Sequence, residues 1–381
     1  MKRIYLDYNA TTPLHPKVKE AMLPYFSEQF GNPSSIHAEG RAARAAIDQS
    51  RDKIAHLLGA KPHEIIFTGS GTESNNLALL GLALANTERG KHIITSQTEH
   101  HAVLHIFELL EKRHGFTVTF LPVDSYGLIS EEAVQKATRF DTTLISIMSA
   151  NNETGTRQAI EKIGKWCREH QILFHSDAIQ SYGKEAVNPK AWSVDALSLA
   201  SHKFYGPKGV GVLFLRSGLA LAPLQVGGAQ ENQRRPGTEN VAAIVGFATA
   251  AELALLQLET EIPRQTQWIE LLWDSLSTTL SGLHRHGHPT QRMANTLNIG
   301  IEGVKGEELL MACDLEGLSL SSGSACMVGG LRPSHVLLAM GVAPELAQAT
   351  LRFSIGQLTQ ETDISEITKR LQRTVHRLRS S

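Results

Sequence analysis

Seven short apolar runs constrain the fold of this chain more than any other feature. They are EIIFT (64–68), HIITS (92–96), TVTFLPV (117–123), TLISIMSA (143–150), ILFHSDA (172–178), DALSLA (195–200) and VGVLFL (210–215). Several are apolar on both alternating sets of positions, which is typical of strands in a parallel sheet that is covered on both faces. Helical patterns such as SNNLALLGLALANTE and AIEKIGKWCREHQ lie between the runs. This alternation predicts a doubly wound α/β domain.

Beyond residue 240 the alternation of strand-like runs and helical patterns ends, and helical patterns predominate. A long helical pattern, VAAIVGFATAAELALLQLETEI, runs to Pro263, where we expect it to stop because proline disrupts a helix interior. Another helical segment, the candidate strand NTLNIGIE, the helix EELLMACDLEGL and the basic helix ISEITKRLQRTVHRL follow. We therefore predict a smaller α+β domain beyond a boundary near Pro263.

Charge and cysteine content narrow the classes of function. The 37 basic and 38 acidic residues nearly cancel, so the chain lacks the field that attracts nucleic acid or an anionic membrane. The N-terminus lacks the apolar core of a signal peptide, and LALLGLALA (77–85) is about half the length of a membrane span. Three cysteines without CxxC spacing argue against a disulfide framework or a structural zinc site. We expect a cytoplasmic protein without a metal site, a nucleic-acid partner or a membrane partner.

Polar clusters follow five of the predicted strands. They are GSGTESNN (69–76), QTEHH (97–101), NNETG (151–155), Asp177 with Gln180, and SHKFYGPKG (201–209). Ligands of open α/β sheets bind beyond the carboxyl ends of the strands. We therefore expect the five clusters to converge on one edge of the sheet and to form a ligand site.

Three features of these clusters indicate the ligand. The glycine-rich turn at 69–76 can bind an anion at a helix N-terminus, although it also fits an ordinary strand-to-helix turn. It lacks the nucleoside-triphosphate and dinucleotide patterns, so a single phosphate fits best. Lys203, at a strand exit, suits Schiff-base formation, although a solvated loop lysine is the alternative. Asp177 ends an apolar strand and needs a cation, either a pyridinium nitrogen or a salt-bridge partner. Together they fit pyridoxal 5'-phosphate (PLP).

Ten motifs in order carry a family resemblance. They are YLDYNATTP, FGNPSSIH, SGTESNNLA, TEHHAV, NNETG, HSDAIQSYGK, SHKFYGPKG, RRPGTEN, SSGSAC and RFSIG. The chain resembles the NifS/IscS-type cysteine desulfurases of the class V aminotransferase superfamily, and SSGSAC distinguishes this group within it. The resemblance implies PLP-dependent transferase fold type I, with a mostly parallel seven-stranded sheet. It also implies a large domain at 13–260 and a small α+β domain formed by 1–12 with 261–381.

The resemblance implies roles for residues around the cofactor ring. Lys203 would carry the cofactor as a Schiff base, and Asp177 would pair with the pyridinium nitrogen. Gln180 and Asn152 would contact the ring oxygen or the substrate side of the cofactor. His100 would stack on the ring and move protons, and its neighbour His101 is the weaker candidate.

The phosphate contacts are implied in the same way. Gly71, Thr72 and His202 would bind the phosphate, and Thr238 would reach it from a second subunit. Many relatives have serine where this chain has Ala200, so the adjacent Ser201 is the candidate for the missing hydroxyl.

Substrate binding and sulfur transfer complete the expected site. Arg352 would bind the substrate carboxylate, a bidentate task that suits a guanidinium group, although a structural salt bridge is the alternative. Cys326, in the glycine-rich stretch SSGSACMVGG (321–330), would act as a mobile nucleophile that becomes a persulfide. Cys167 and Cys313 lie on helix faces and fit buried apolar positions.

The expected enzyme is a homodimer that converts L-cysteine to L-alanine and passes sulfur to an acceptor such as an iron–sulfur scaffold protein. Selenocysteine lysis would use the same residues, whereas transamination would leave Cys326 without a role. A catalytically silent scaffold is the third alternative, although Lys203 and Cys326 are both present.

Overall fold

The computed structural model describes residues 2–322 and 332–380. Their strands are β1 (Ile4–Tyr5), β2 (Ile65–Thr68), β3 (His92–Ser96), β4 (Thr117–Leu121), β5 (Thr142–Ser146), β6 (Leu173–Asp177), β7 (Ala196–Ala200), β8 (Gly211–Leu215), β9 (Leu283–His286), β10 (Thr296–Ile301), β11 (Leu318–Ser319) and β12 (Thr350–Ser354). Their helices are α1 (Pro16–Met22), α2 (Pro24–Ser27), α3 (Ala38–Leu58), α4 (Gly71–Ala85), α5 (His101–His114), α6 (Glu131–Ala137), α7 (Ile160–Glu169), α8 (Val241–Leu256), α9 (Leu258–Thr279), α10 (Gly306–Leu315), α11 (His335–Ala339), α12 (Pro344–Gln348) and α13 (Glu361–Arg379).

The central sheet contains the seven apolar runs of the sequence, each as a strand. Its strand order is β2-β8-β7-β6-β5-β3-β4, and β8 runs antiparallel to both of its neighbours while the other pairs are parallel. The predicted α/β class and the mostly parallel seven-stranded sheet are therefore confirmed.

Both faces of this sheet are covered by helices. Ile93 packs into the core beneath α4 and α5, while its neighbour Ile94 packs into the opposite core with α3, α7 and α8. Neighbouring side chains of a strand point to opposite faces, so both alternating sets of a strand must be apolar. Each such isoleucine contributes roughly 1.5–3 kcal/mol by leaving water.

A second core forms around a smaller sheet. Strands β9, β10 and β12 form an antiparallel sheet in which Asn298 pairs with Arg352. Helices α9, α10 and α13 pack against it. The N-terminal strand β1 pairs with β11, so the start of the chain joins this second core. We propose that these cores correspond to domains at 13–260 and at 1–12 with 261–381.

The helix break lies at Gln257, and the prediction that the helix stops at Pro263 is wrong. Helix α9 begins at Leu258 and continues through Pro263, and its axis is bent by 68° from that of α8. Pro263 cannot donate to the carbonyl of Glu259, so the helix loses one hydrogen bond near its start. Burial of Ile269, Leu272 and Leu276 further along α9 offsets that loss.

Helix α8 is the most apolar long helix among the described residues and lies in the large core through Ile244, Phe247 and Ala251. No single described helix is long and apolar enough to cross a membrane. The bent pair of α8 and α9 meets that requirement jointly, by length and composition only.

Close packing of α7 generates the first prediction. A Cβ atom at Gly164 would lie 1.9 Å from the main-chain oxygen of Trp192. We expect Gly164→Ala to lower the free energy of unfolding by about 1–3 kcal/mol because the backbone must move. Urea denaturation measures the change, with Lys165→Ala on the exposed face of the same helix as the control. Equal stability of the two variants would contradict the packing argument.

Candidate active site

The predicted polar clusters meet in one open cavity of about 420 Å³ beyond the carboxyl ends of the parallel strands. Nine of the predicted site residues line it: Gly71, Thr72, His100, Asn152, Asp177, Gln180, His202, Lys203 and Arg352. The N-terminal segment closes one side through Asp7, Asn9 and Ala10. The sheet edge and the N-terminal segment therefore form the site together.

Asp177 is a buried carboxylate at the end of β6. Its Oδ2 accepts from Asn75 Nδ2 at 2.7 Å, and its Oδ1 accepts from the main-chain N–H of Ile179 at 2.9 Å. The residue is only 5% exposed, and burial raises the pKa of its carboxyl group, against the effect of the neighbouring His100. A positive charge in the cavity would stabilise the ionised form, as a pyridinium nitrogen does.

Lys203 follows β7 directly, at the end of the helical turn Ser201–Lys203. Its Nζ donates to the main-chain oxygens of Asn9 at 2.7 Å and of Ala10 at 2.9 Å. These contacts hold the amine at the cavity wall, against the N-terminal segment. The strand exit and the segment thus fix the position of the group that would carry a cofactor.

His100 is the N-cap of α5. Its Nδ1 accepts from the main-chain N–H of Ala102 at 3.1 Å, which assigns the proton of the neutral ring to Nε2. Burial lowers the pKa of His100 against the effect of Asp177, and the neighbouring Lys203 lowers it further. The ring is therefore neutral near neutral pH. His101 packs against His335 instead, with ring centroids 4.6 Å apart, and is not among the described residues that line the cavity.

The first turn of α4 forms the candidate phosphate cradle. Ser70 caps this helix by accepting from the N–H of Glu73 at 3.1 Å, so Gly71 and Thr72 start the helix at the cavity. A Cβ atom at Gly71 would lie 2.3 Å from Ile179 Cδ1, so glycine keeps the cradle open. A helix N-terminus of this kind attracts an anion.

His202 closes the other side of the cradle. Its Nδ1 lies 3.2 Å from Thr11 Oγ1, and burial together with Lys203 lowers the pKa of His202 to about 4. The ring is neutral and can offer one N–H to a phosphate.

Two predicted phosphate residues lie elsewhere. Ser201 is buried with its hydroxyl directed at Gly206, where an added Cβ would lie 1.9 Å from Ser201 Oγ. Ala200 lines the cavity in its place, so this geometry disfavours Ser201 as a phosphate ligand. Thr238 is exposed in the loop before α8 and is not among the described residues that line the cavity. Its contribution from a second subunit stays a prediction.

Arg352 lies on β12 with its guanidinium group at the cavity. Its Nη2 donates to Asp7 Oδ1 at 2.7 Å, and its Nη1 donates to the main-chain oxygen of Asn152 at 3.0 Å. The side chain is 3% exposed, and its Nε is buried without a hydrogen-bond partner among residues 2–322 and 332–380. An orphaned donor on a buried cation is suited to bind an incoming carboxylate.

Cys167 and Cys313, the two cysteines within the described residues, are buried as expected. Burial raises the pKa of Cys167 and of Cys313, which is typical of inert core thiols. Cys326 lies outside the described residues. Within the described parts of the chain, no group of three or more histidine, cysteine, aspartate or glutamate residues could hold a metal ion.

Several residues of the site have no role in the sequence-based prediction. Asn75 orients Asp177, Asp7 pairs with Arg352, and Asn9 accepts from Lys203. Each lies within a motif quoted above, SGTESNNLA or YLDYNATTP, but no chemical signature marks it as a site residue. Their positions depend on how the N-terminal segment folds back on the sheet.

Comparison with known proteins identifies the family. The family model "Aminotransferase class-V" matches residues 4–367. Among solved structures, one described as a NifS-like protein has a TM-score of 0.93 and 35% identity, covering 99% of this chain and 100% of its own. Another, SspA in complex with cysteine, has a TM-score of 0.81 and 39% identity, covering 92% of this chain and 98% of its own. The fold and these matches define a PLP-dependent enzyme of the class-V aminotransferase family.

Curated relatives narrow this assignment. A cysteine desulfurase IscS of Dictyoglomus turgidum is 49% identical over 381 residues, which covers 100% of this chain and 96% of the relative. A cysteine desulfurase IscS of Methanosarcina thermophila is 47% identical over 379 residues, which covers 100% of this chain and 93% of the relative. The chain belongs to the class-V aminotransferase family and, within it, to the cysteine desulfurases.

A buried carboxylate beside the site generates the second prediction. Burial raises the pKa of Glu153 to about 7, although the Ser334 hydroxyl and Arg352 act in the opposite direction. Because this pKa lies above its ordinary value of 4.5, its contribution to stability is full below about pH 4.5 and is lost as the pH rises through about 7. We expect Glu153→Gln to gain melting temperature relative to the parent protein as the pH rises.

Differential scanning calorimetry at several pH values between about 5 and 8 measures this difference. Glu88→Gln, at an exposed position, is the control and should follow the parent protein throughout. A constant offset between Glu153→Gln and the parent protein would contradict the assignment.

Proposed function

We propose that this protein is a cysteine desulfurase that converts L-cysteine to L-alanine and retains the sulfur as a persulfide on Cys326. The observation that carries the proposal is the convergence of Lys203, Asp177 and Arg352 in one cavity. These residues suit an amino-acid substrate on PLP: an amine, a partner for the ring nitrogen and a partner for a carboxylate. The similarity to cysteine desulfurases over the whole chain supports the same substrate.

The residues of the cavity fit PLP. The open turn at Gly71 and Thr72 suits its phosphate, Asp177 suits its ring nitrogen, and Lys203 suits its covalent attachment. When bound, PLP withdraws electrons from the α-carbon of the amino acid. His100, Asn152 and Gln180 would contact the ring and its oxygen. All other steps depend on side chains of the protein.

Arg352 binds the substrate carboxylate in this proposal. Asp7 and the Asn152 carbonyl already hold the guanidinium group in place, so little side-chain entropy is lost when the carboxylate arrives. The buried Nε supplies a donor that the described protein groups leave unused. The arrangement selects substrates with a carboxylate at a fixed distance from the amine.

We assign proton transfer to Lys203 and His100. The Lys203 amine accepts the proton from the α-carbon, and the neutral His100 ring can donate its proton from Nε2.

Sulfur transfer needs a nucleophile, which we assign to Cys326 from its place in SSGSAC. Its thiolate attacks the sulfur of L-cysteine, a sulfur–sulfur bond forms, and the carbon–sulfur bond breaks. The carbon skeleton takes up protons and leaves as L-alanine. The outer sulfur of the persulfide then passes to an acceptor protein, for which an iron–sulfur scaffold protein is our candidate.

We propose that the enzyme is a homodimer. Phe26, Phe30 and Ile36 are 65%, 72% and 90% exposed, and such large apolar side chains are typical of a covered surface. A second subunit would also place Thr238 at the phosphate cradle. We further propose a cytoplasmic location, since a reactive thiol requires a reducing compartment.

The role of Arg352 provides the third prediction. We expect Arg352→Lys to lower kcat/KM for L-cysteine about tenfold to a hundredfold, since a charged hydrogen bond is worth about 1.5–3 kcal/mol. The absorbance of bound PLP should stay unchanged. Arg139→Lys, which alters an exposed pair with Asp141, is the control. Unchanged kcat/KM in Arg352→Lys would rule out carboxylate binding by Arg352.

The role of Cys326 provides the fourth prediction and tests the function itself. We expect Cys326→Ala to bind PLP and L-cysteine, as seen by absorbance, but to lose sulfide release in the presence of a reductant. Cys313→Ala removes a buried thiol and should retain turnover. Parent-level turnover by Cys326→Ala would exclude the persulfide mechanism.

A further inference from the structure

A second lysine, Lys184, lies beside the cavity and has no role in the reaction proposed above. It belongs to the turn after β6, where its main-chain N–H donates to the oxygen of Ser181 at 3.0 Å. Its Nζ donates to Gln180 Oε1 at 3.0 Å and to Asn9 Oδ1 at 3.1 Å. Both contacts are made to side-chain amides, and Gln180 and Asn9 both line the site.

These contacts determine which way the Gln180 amide faces. A lysine ammonium only donates hydrogen bonds, so the oxygen of the amide must face Lys184. Burial lowers the pKa of Lys184, but the neutral amine retains two N–H groups, enough for both amide oxygens. Lys184 can therefore donate to both amide oxygens in either protonation state.

The nitrogen of the Gln180 amide then faces the other way. Its Nε2 donates to the main-chain oxygen of Asn9 at 3.0 Å. That oxygen also accepts from Lys203 Nζ at 2.7 Å, so both of its lone pairs are used. The second N–H of Gln180 has no role in these contacts and is available to a ligand in the cavity.

The orientation of Asn9 agrees with this assignment. Its Oδ1 accepts from Lys184 and from Asn295 Nδ2 at 3.0 Å. Its Nδ2 donates to Thr296 Oγ1 at 2.8 Å and to the main-chain oxygen of Asn152 at 3.3 Å. Every group in this network has one consistent donor or acceptor role, and Lys184 is the donor for both amides.

We propose that Lys184 is a positioning residue that fixes the side-chain amide of Gln180, so that an N–H group rather than the oxygen faces the cofactor ring. This inference rests on the proposed PLP site and on the contact of Gln180 with the ring oxygen. Without Lys184, only the hydrogen bond from Nε2 to the Asn9 main-chain oxygen, among the contacts within the described residues, holds the amide in this orientation, so half a turn of rotation costs less than in the parent protein. Its oxygen would then face the ring oxygen, and the two acceptors would repel each other.

The alternative is a structural tie. Lys184 joins the N-terminal segment to the turn after β6, and such a tie stabilises the fold whichever way Gln180 faces. The two roles differ in what they change. A positioning residue alters the affinity for PLP through Gln180, whereas a structural tie alters only the stability of the protein.

The test uses the full-length apoprotein titrated with PLP, with the dissociation constant read from the absorbance of the bound cofactor. We expect Lys184→Met to weaken PLP binding about threefold to tenfold, since one hydrogen bond is worth about 0.5–1.5 kcal/mol. Lys190→Met, at an exposed position after the same turn, should bind as the parent protein does. In the background of Gln180→Ala, Lys184→Met should add no further loss.

Two results would overturn the proposal. One is an unchanged dissociation constant for Lys184→Met, whether or not its melting temperature falls. The other is a loss that adds fully to that of Gln180→Ala, because Lys184 would then act independently of Gln180.

A second variant keeps Lys184 and does not depend on the folding of Lys184→Met. Gln180→Glu preserves an oxygen for Lys184 but replaces the amide N–H with an acceptor. We expect it to weaken PLP binding at least as much as Lys184→Met, and parent-like binding would overturn the proposal. If the parent protein itself bound no PLP, the proposed function and this inference would both fail. Parent-like PLP binding by Lys184→Met, in a protein that desulfurates L-cysteine, would overturn this inference alone.

Discussion

The site depends on one unfavourable interaction, the burial of the Asp177 carboxylate at the end of β6. Removing a carboxylate from water costs several kcal/mol unless hydrogen bonds or a cation compensate. Asn75 and the Ile179 N–H supply two hydrogen bonds, yet burial still raises the pKa of Asp177. A cation in the cavity would complete the compensation. The protonated ring of PLP has the right charge, and its electron demand is the source of the reactivity.

The N-terminal segment connects this buried charge to the second core. Strand β1 pairs with β11, Asp7 binds Arg352, and Asn9 contacts the side chain of Lys203 through its main-chain oxygen. The groups that we propose for the substrate carboxylate and for cofactor attachment are therefore held by neighbouring residues of one segment. A shift between the two cores would move Arg352 relative to Lys203, so the segment fixes the distance on which substrate selection depends.

The sequence predicts the sheet and its ligand edge well, because strands buried on both faces carry apolar residues on both alternating sets of positions. Strands β5, β6 and β7 form from apolar runs of this kind. Asp177 lies at the end of β6, and Lys203 follows the end of β7. The helix break is mislocated because packing of α9 outweighs the single hydrogen bond lost at Pro263. The geometry disfavours Ser201 because sequence adjacency does not give side-chain direction. Asn75, Asn9 and Lys184 are missed because their roles depend on contacts between segments far apart in the chain.

In the proposed site, Lys203 carries the cofactor and lines the same cavity as Asp177. Reduction of the PLP-loaded protein with borohydride, followed by peptide mass spectrometry, locates the modified lysine most directly. We expect the pyridoxyl group on Lys203 alone, with Lys184 unmodified. A label on Lys184, or no stable label on any lysine of a protein that turns over L-cysteine, would contradict the account.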